Sequence, residues 1–541
     1  MTSQYDVVIV GAGGGGMSGA LAAASKGADV VVVDAADKVG GTFAYSAGLV
    51  WVANNHFMAD AGFEDSAAEA IEHISSLSGG RHDDALLSTF VHRSPEVIRW
   101  LTEEMDVPFE LLGTYPDYYS DHVGGRAGGR HLSTAMFAPQ DSLPAEWQDR
   151  LTASPHFAGV PASWKEIQEW GGLASMPSWD WNEMARRMVA DCRGMGSATA
   201  GFLLAACLKR GVEFRLQSSA QRFIVEDGRV VGVVVAAADG TATELRATRG
   251  VLLATGGFDS NDEMKAAIDP YARTHGIGSP NVDGSGLVMA LEIGAAFNAL
   301  GGQLTTPTFA IPGEEADGRQ LYRSAVREPA FPGGIVVDRS GKRFCDESFY
   351  RSLCHEMESF DVRSQSYPHE DAWLVFDQQW KDSYSLGPIN PGEVPPWMSR
   401  GATPAELALD LGVAGDALNR TISDYNTHAL KGEDPEFGRG STAYGRNSGD
   451  RTMTPNPCVR PLEGQLYAVK LHLGSSGSNS GLVFDDHGRV QHVRGGAING
   501  LYVTGNAAAN LVEGLWYNSG LSNAKALTFG YVAVEHMLAE R

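Results

Sequence analysis

The opening stretch of the chain, up to Asp34, limits its fold more than any other feature. Residues 5–10 (YDVVIV) form a short apolar run with β-branched side chains, which predicts a buried parallel strand. A glycine turn follows, Gly11-x-Gly13-x-x-Gly16, and leads into the Ala-rich helical segment 17–26. Residues 29–33 (DVVVV) predict a second buried strand, and Asp34 ends it. Strand, glycine turn, helix, strand and acid make a βαβ unit suited to a dinucleotide. The first glycine allows the tight turn, the second lets backbone N–H groups approach a pyrophosphate, and the third lets the helix lie close to the sheet. The helix N-terminus favours the phosphate charge, and Asp34 is placed to accept hydrogen bonds from ribose hydroxyls. The spacing alone is a weak signal, because glycine supplies 65 of the 541 residues. Its position between strand and helix makes it specific; the competing reading is a glycine-rich helix cap beside a solvated acid.

NAD and FAD share this fingerprint, so later turns must separate them. Gly40-Gly41-Thr42 follows Asp34 closely, then Ser46-Ala47-Gly48. Ala254–Gly257 ends another buried run, and Gly505-Asn506 follows a third before the last helix. Each turn alone could be structural. Several turns converging on one cofactor suit FAD, which is long. Those turns hold none of the His or Cys side chains that link a flavin covalently, so FAD is expected to bind non-covalently.

Charge and cysteine content exclude other classes. Lys and Arg number 42 against 66 Asp and Glu, for a net charge of −24, which disfavours nucleic acid and anionic membranes as partners. The five cysteines are scattered with no CxxC, so neither a disulfide framework nor a metal site is expected. The N-terminus lacks the pattern of a signal peptide, and no apolar run is long enough for a transmembrane segment. A cytoplasmic location is expected.

Further along, residues 65–106 predict mostly helix, and 107–190 read as irregular and rich in tryptophan. Segment 195–209 predicts an apolar helix, 211–237 alternates like strands, and 335–344 reads as a hairpin. Strand, glycine and helix return near the C-terminus. The first and last parts predict one split lobe, with the middle inserted as a cap.

At this point the sequence resembles a known family. The segments DVVIVGAGGGGMSGALAAASKG, VGGTFAYSAG, YPDYY, GVLLATGGFD, PGGIVVDRSGKRF, WLVFDQQW, TPNP with PLEGQLYAVK, and GLYVTGNAAAN resemble the fumarate reductase/3-ketosteroid dehydrogenase flavoproteins. Among these the chain looks most like the 3-ketosteroid Δ1-dehydrogenases. The resemblance implies an α/β fold: a Rossmann-like FAD-binding lobe (1–274 and 456–541) split by an inserted α+β catalytic lobe (275–455). It also implies dehydrogenation of a cyclic ketone, most simply a 3-ketosteroid with Δ1 or Δ4 outcome, using an electron acceptor that the sequence does not name. A smaller cyclohexanone-type ketone is the alternative if the tryptophan-rich region 145–181 fills the steroid cleft. A fumarate-reductase-like ene reductase and a non-catalytic flavin-binding protein are the remaining alternatives.

Family chemistry needs a base for the α-proton and donors aimed at the ketone oxygen. Tyr517 matches the family tyrosine that donates to that oxygen. Leu521 stands where the Δ1 enzymes keep a glycine, and the Tyr-x-Ser-Gly pattern of the Δ4-(5α)-dehydrogenases makes Ser519 a candidate. Tyr118, beside Tyr119, matches the tyrosine that supports the base. For the base itself, Tyr350 stands one residue early and Arg351 holds the expected place, where fumarate-reductase-type members keep a proton-donating arginine. Both stay open. Gly474–Gly481 (GSSGSNSG) matches the family loop over the flavin.

Overall fold

The computed structural model describes residues 2–156, 161–271, 273–512 and 519–540. Its first sheet has five parallel strands at its centre, in the order Glu213–Arg215, Val30–Val33, Thr2–Val10, Ala242–Leu253 and Ala497–Val503. Val7–Ile9 and Val31–Val33 have no exposed surface, as expected for strands covered on both faces. The N-terminal strand and the strand near the C-terminus thus share one sheet, so this lobe is split in sequence. Gly14–Ser25 and the last helix, Leu521–Ala539, pack closely over it; a Cβ on Gly530 would lie 2.3 Å from the Gly15 carbonyl oxygen. The helix Met195–Lys209 covers the first helix from another side, with Cys207 Sγ donating to Met17 O at 3.6 Å.

The inserted lobe has its own, mainly antiparallel sheet, in the order Arg319–Ser324, Gln303–Ala316, Leu466–Ser478, Ala372–Asp377 and Gly334–Asp338. Leu466–Ser478 lies beyond the expected boundary at residue 455, and we place the return to the first lobe after Ser478. The glycine–serine run 474–481 is therefore mostly strand rather than loop. Its small residues let the other lobe approach: a Cβ on Gly477 would lie 2.2 Å from Asn506 Nδ2.

Of the expected hairpin at 335–344 the turn forms, with Asp338 N donating to Lys342 O at 3.1 Å, but the return strand does not. Gly334–Asp338 pairs instead with Ala372–Asp377, and residues 342–344 are not strand. Arg343 turns inward there. Its guanidinium binds Glu347 at 2.7 and 2.8 Å and Asp434 at 2.8 Å, all three being buried, and this draws the chain off the sheet. Region 107–190 is less irregular than expected. Ser163 and Glu166 form a capping box for Trp164–Glu169, and Asp180 caps Trp181–Val189. A second apolar core joins Leu112, Tyr118 and Trp164 of the first lobe to Phe331 and Tyr350 of the second. Among the described residues no helix is long and apolar enough to cross a membrane.

Candidate active site

The dinucleotide turn is built as its residues require. Gly11 has φ of 110°, and a Cβ there would lie 2.3 Å from Ala254 O, so the two strand-ending turns touch through backbone. A Cβ on Gly16 would lie 1.9 Å from Gly11 O, so this glycine serves packing rather than ligand contact. Gly13 is different: nothing lies nearer to its Cβ position than Gly40 O at 3.9 Å, and its backbone faces open space. Asp34 accepts from Ala12 N at 2.6 Å and Ala36 N at 2.8 Å. It therefore ties the turn to the second strand, and burial raises its pKa in spite of those two bonds.

Gly11, Gly13, Asp34, Gly41, Thr42, Gly48, Gly256, Gly505, Asn506 and Ser519 all line a single cavity of about 1430 Å³. This exceeds the ~300–1,000 Å³ usual for one small ligand, which leaves room for a cofactor and a substrate together. Thr42 links the lobes by accepting from Ser279 N at 3.0 Å. Thr255 Oγ1 and both carboxylate oxygens of Asp259 are buried at this wall without a protein partner, and burial pushes Asp259 up to about pKa 6. Unsatisfied polar atoms, a helix N-terminus and glycine turns on one wall fit a long cofactor with phosphate and ribose groups.

Aromatic side chains from both lobes form another wall. Tyr118 follows Asp117, whose buried carboxylate accepts from Trp51 Nε1 at 2.8 Å, Arg126 N at 3.0 Å and Arg130 Nη1 at 3.0 Å. That network fixes the loop. Tyr350 begins the helix Tyr350–Glu358. The two tyrosine hydroxyls lie 2.7 Å apart across the lobe boundary, and both residues line the cavity. Tyr119 packs on Phe349 and His122 instead and is not a lining residue.

Arg351, although adjacent to Tyr350, is not a lining residue either. It turns to the strand Gln303–Ala316 and donates to Thr305 O at 2.5 Å. Glu358, on the same helix, is raised to about pKa 7 by burial, with the Arg351 charge opposing the rise. Ser519 is on the cavity wall, and Asn523 Nδ2 ties the start of the last helix to Leu49 O at 2.9 Å. Tyr517 lies outside the described residues.

Several lining residues were not marked as site residues by the sequence, although Tyr115 opens the YPDYY segment. Tyr115, Arg327, Glu328 and Tyr444 join the tyrosine wall. Burial raises the pKa of Tyr444. Trp164, Leu173, Met176 and Trp181 come from the tryptophan-rich region, whose composition was the only sign of them.

A family profile described as an FAD binding domain matches residues 6–522, and the chain belongs to that family. It is an FAD-dependent oxidoreductase of the dehydrogenase type. It is 34% identical to the 4-oxocyclohexanecarboxylate 2-dehydrogenase of Sinomonas cyclohexanicum, over 98% of this chain and 92% of that protein. It is 31% identical to the 3-oxosteroid 1-dehydrogenase of Mycolicibacterium smegmatis, over 98% of this chain and 97% of that one. Among solved structures it is similar to the 3-ketosteroid Δ1-dehydrogenase of Sterolibacterium denitrificans, with a TM-score of 0.91 and 29% identity, covering 99% of this chain and 100% of the other.

Proposed function

We propose that the protein removes two hydrogens from the C–C bond beside the carbonyl of a compact ring ketone, leaving a conjugated enone. The observation that carries this reading is the pair of tyrosine hydroxyls 2.7 Å apart on the cavity wall. In this reading Tyr350 takes the α-proton. Tyr118 donates a hydrogen bond to the Tyr350 oxygen and steadies the charge that the base carries beforehand. Tyr517 and the backbone before the last helix remain the proposed donors to the ketone oxygen, where enolate charge develops. Gly13, Asp34, Gly41, Thr42, Gly48, Gly256, Gly505 and Asn506 hold FAD, and Gly11 and Gly16 shape its turn. Bound FAD supplies the hydride acceptor. The apolar and aromatic lining keeps water from the reacting carbons.

A compact ring is favoured over a four-ring steroid by one feature of the wall. Trp164, Leu173, Met176 and Trp181 of the tryptophan-rich region line the cavity, and in this reading they take up room that a four-ring substrate would need. The relative from Sinomonas cyclohexanicum, whose name specifies a single-ring keto acid, supports the same choice. A fumarate-type activity is disfavoured by Arg351, which faces the protein interior.

The test is a substrate panel with a dye acceptor: substituted cyclohexanones, 3-ketosteroids and, in the reducing direction, fumarate. Turnover is expected to be fastest with the single-ring ketones. Fast steroid turnover with the small ketones inert would reverse the size assignment, and fumarate reduction with every ketone inert would remove the proposed function.

A further inference from the structure

Arg327 is a buried cation set at the tyrosine wall, with Glu328 Oε2 accepting from its backbone N–H at 3.2 Å rather than from its guanidinium. It is 6% exposed and lines the cavity. Its guanidinium donates to the neutral hydroxyls of Tyr115, at 2.8 Å, and Ser448. It also stacks on the rings of Tyr444, at 5.2 Å, and Tyr115, at 5.5 Å. Among the described residues, no carboxylate forms an ion pair with it. Burial works against its charge, while Coulombic interaction with Tyr115, Tyr444, Tyr118 and Tyr350 raises its pKa, so the group stays charged. Its chain neighbour Glu328 is pushed up to about pKa 7 by burial and so neutralises it only partly. Arg451, behind it, adds a like charge.

Two other basic side chains, Arg323 and Lys38, line the cavity. Arg323 is held by both oxygens of Glu314, at 2.8 and 2.5 Å, and Lys38 lies at the Asp34 end. A buried charge without a counter-ion is costly, and the cost falls when a ligand brings the missing anion. The location is informative as well. The Tyr444 ring, on which Arg327 stacks, lies 4.7 Å from the Tyr118 ring, and the Tyr118 hydroxyl meets Tyr350. The cation is thus one aromatic ring removed from the proposed proton-transfer pair, an offset that suits a substituent on the far side of a reacting ring.

We propose that Arg327 receives a carboxylate carried by the ring-ketone substrate, so that the enzyme acts on keto acids in preference to neutral ketones. This rests on the reading that the site desaturates ring ketones. The test compares 4-oxocyclohexanecarboxylate with cyclohexanone on the FAD-loaded enzyme, for the wild type, R327M and R327Q. R327Q keeps donors toward Ser448 and Tyr115 while removing the charge, so a folding defect in R327M does not end the test.

The neutral variants are expected to lose about 10²-fold in kcat/KM with the keto acid, the size of a buried charge-assisted contact, and far less with cyclohexanone. Calorimetric binding of cyclohexanecarboxylate, which has no ketone and cannot react, is expected to weaken in parallel, with R327K retaining part of it. Equal losses for the acid and the neutral ketone, or an altered pH profile with both and unchanged cyclohexanecarboxylate binding, would overturn the inference and make Arg327 a support of the tyrosine pair. Absence of turnover with any ring ketone, with cyclohexanecarboxylate still bound through Arg327, would instead count against the desaturation reading alone.

Discussion

Tyr350 and Arg351 adjoin in the chain, and the Arg351 guanidinium lies 5.7 Å from the centre of the Tyr350 ring, yet only Tyr350 lines the cavity. Tyr350 lies on the cavity wall against Tyr118, while Arg351 is 4% exposed and donates to Thr305 in the second sheet. The sequence could not separate them, because a one-residue shift in a loop leaves no local mark. Both are buried in the first turn of the helix Tyr350–Glu358, and of the two only Tyr350 reaches the cavity. In the proposed reaction Tyr350→Phe removes the base, and bases of this kind contribute about 10²–10⁴-fold. Flavin reduction is expected to slow by that factor, and exchange of the substrate α-proton with D₂O to stop, while FAD stays bound. Arg351→Lys is expected to leave exchange in place. Exchange that persists in Tyr350→Phe and disappears in Arg351→Lys would move the proton-transfer role to Arg351.

At the scale of elements, legibility followed the range of the interactions involved. The first βαβ unit was readable because strand, turn and helix are set by neighbours in sequence: apolar runs, Gly11 and Gly16, and the acid at Asp34. The turn expected within 335–344 forms, but the return strand does not, and Arg343 there binds Glu347 and the distant Asp434. The last helix hides a comparable long-range feature in Lys525. Its ammonium is fully buried, donates to Ala508 O at 3.0 Å and Ala509 O at 3.2 Å, and is pushed down to about pKa 7 by burial. The unfolded chain keeps a lysine near 10.5. Between these values the unfolded state holds a proton that the folded state has released, so this site adds stability as pH rises and carries its full burial cost below about pH 7. Urea unfolding of wild type and Lys525→Met across that range is expected to show wild type gaining on the variant by about 1.4 kcal/mol per pH unit. A difference independent of pH would mean that the amine keeps its ordinary pKa.

The whole molecule brings together what neither lobe holds alone. The glycine turns and Asp34 come from a sheet shared by the two ends of the chain, and Tyr350 and Arg327 come from the inserted lobe. The split lobe and its cofactor were legible because the glycine turns repeat one local pattern. The tyrosine pair could be anticipated through family resemblance, residue by residue. The Arg327–Tyr115–Tyr444 cluster could not, since its members are remote in sequence and only Tyr115, which opens the YPDYY segment, lies in a motif. The proposed desaturation of a ring ketone draws on both lobes at once, and anaerobic mixing of the FAD-loaded protein with 4-oxocyclohexanecarboxylate and related ring ketones tests this most directly. The account predicts that the flavin absorbance bleaches and that a conjugated enone forms in equal amount. A flavin that stays oxidised with every ring ketone, or that bleaches without enone, would contradict it.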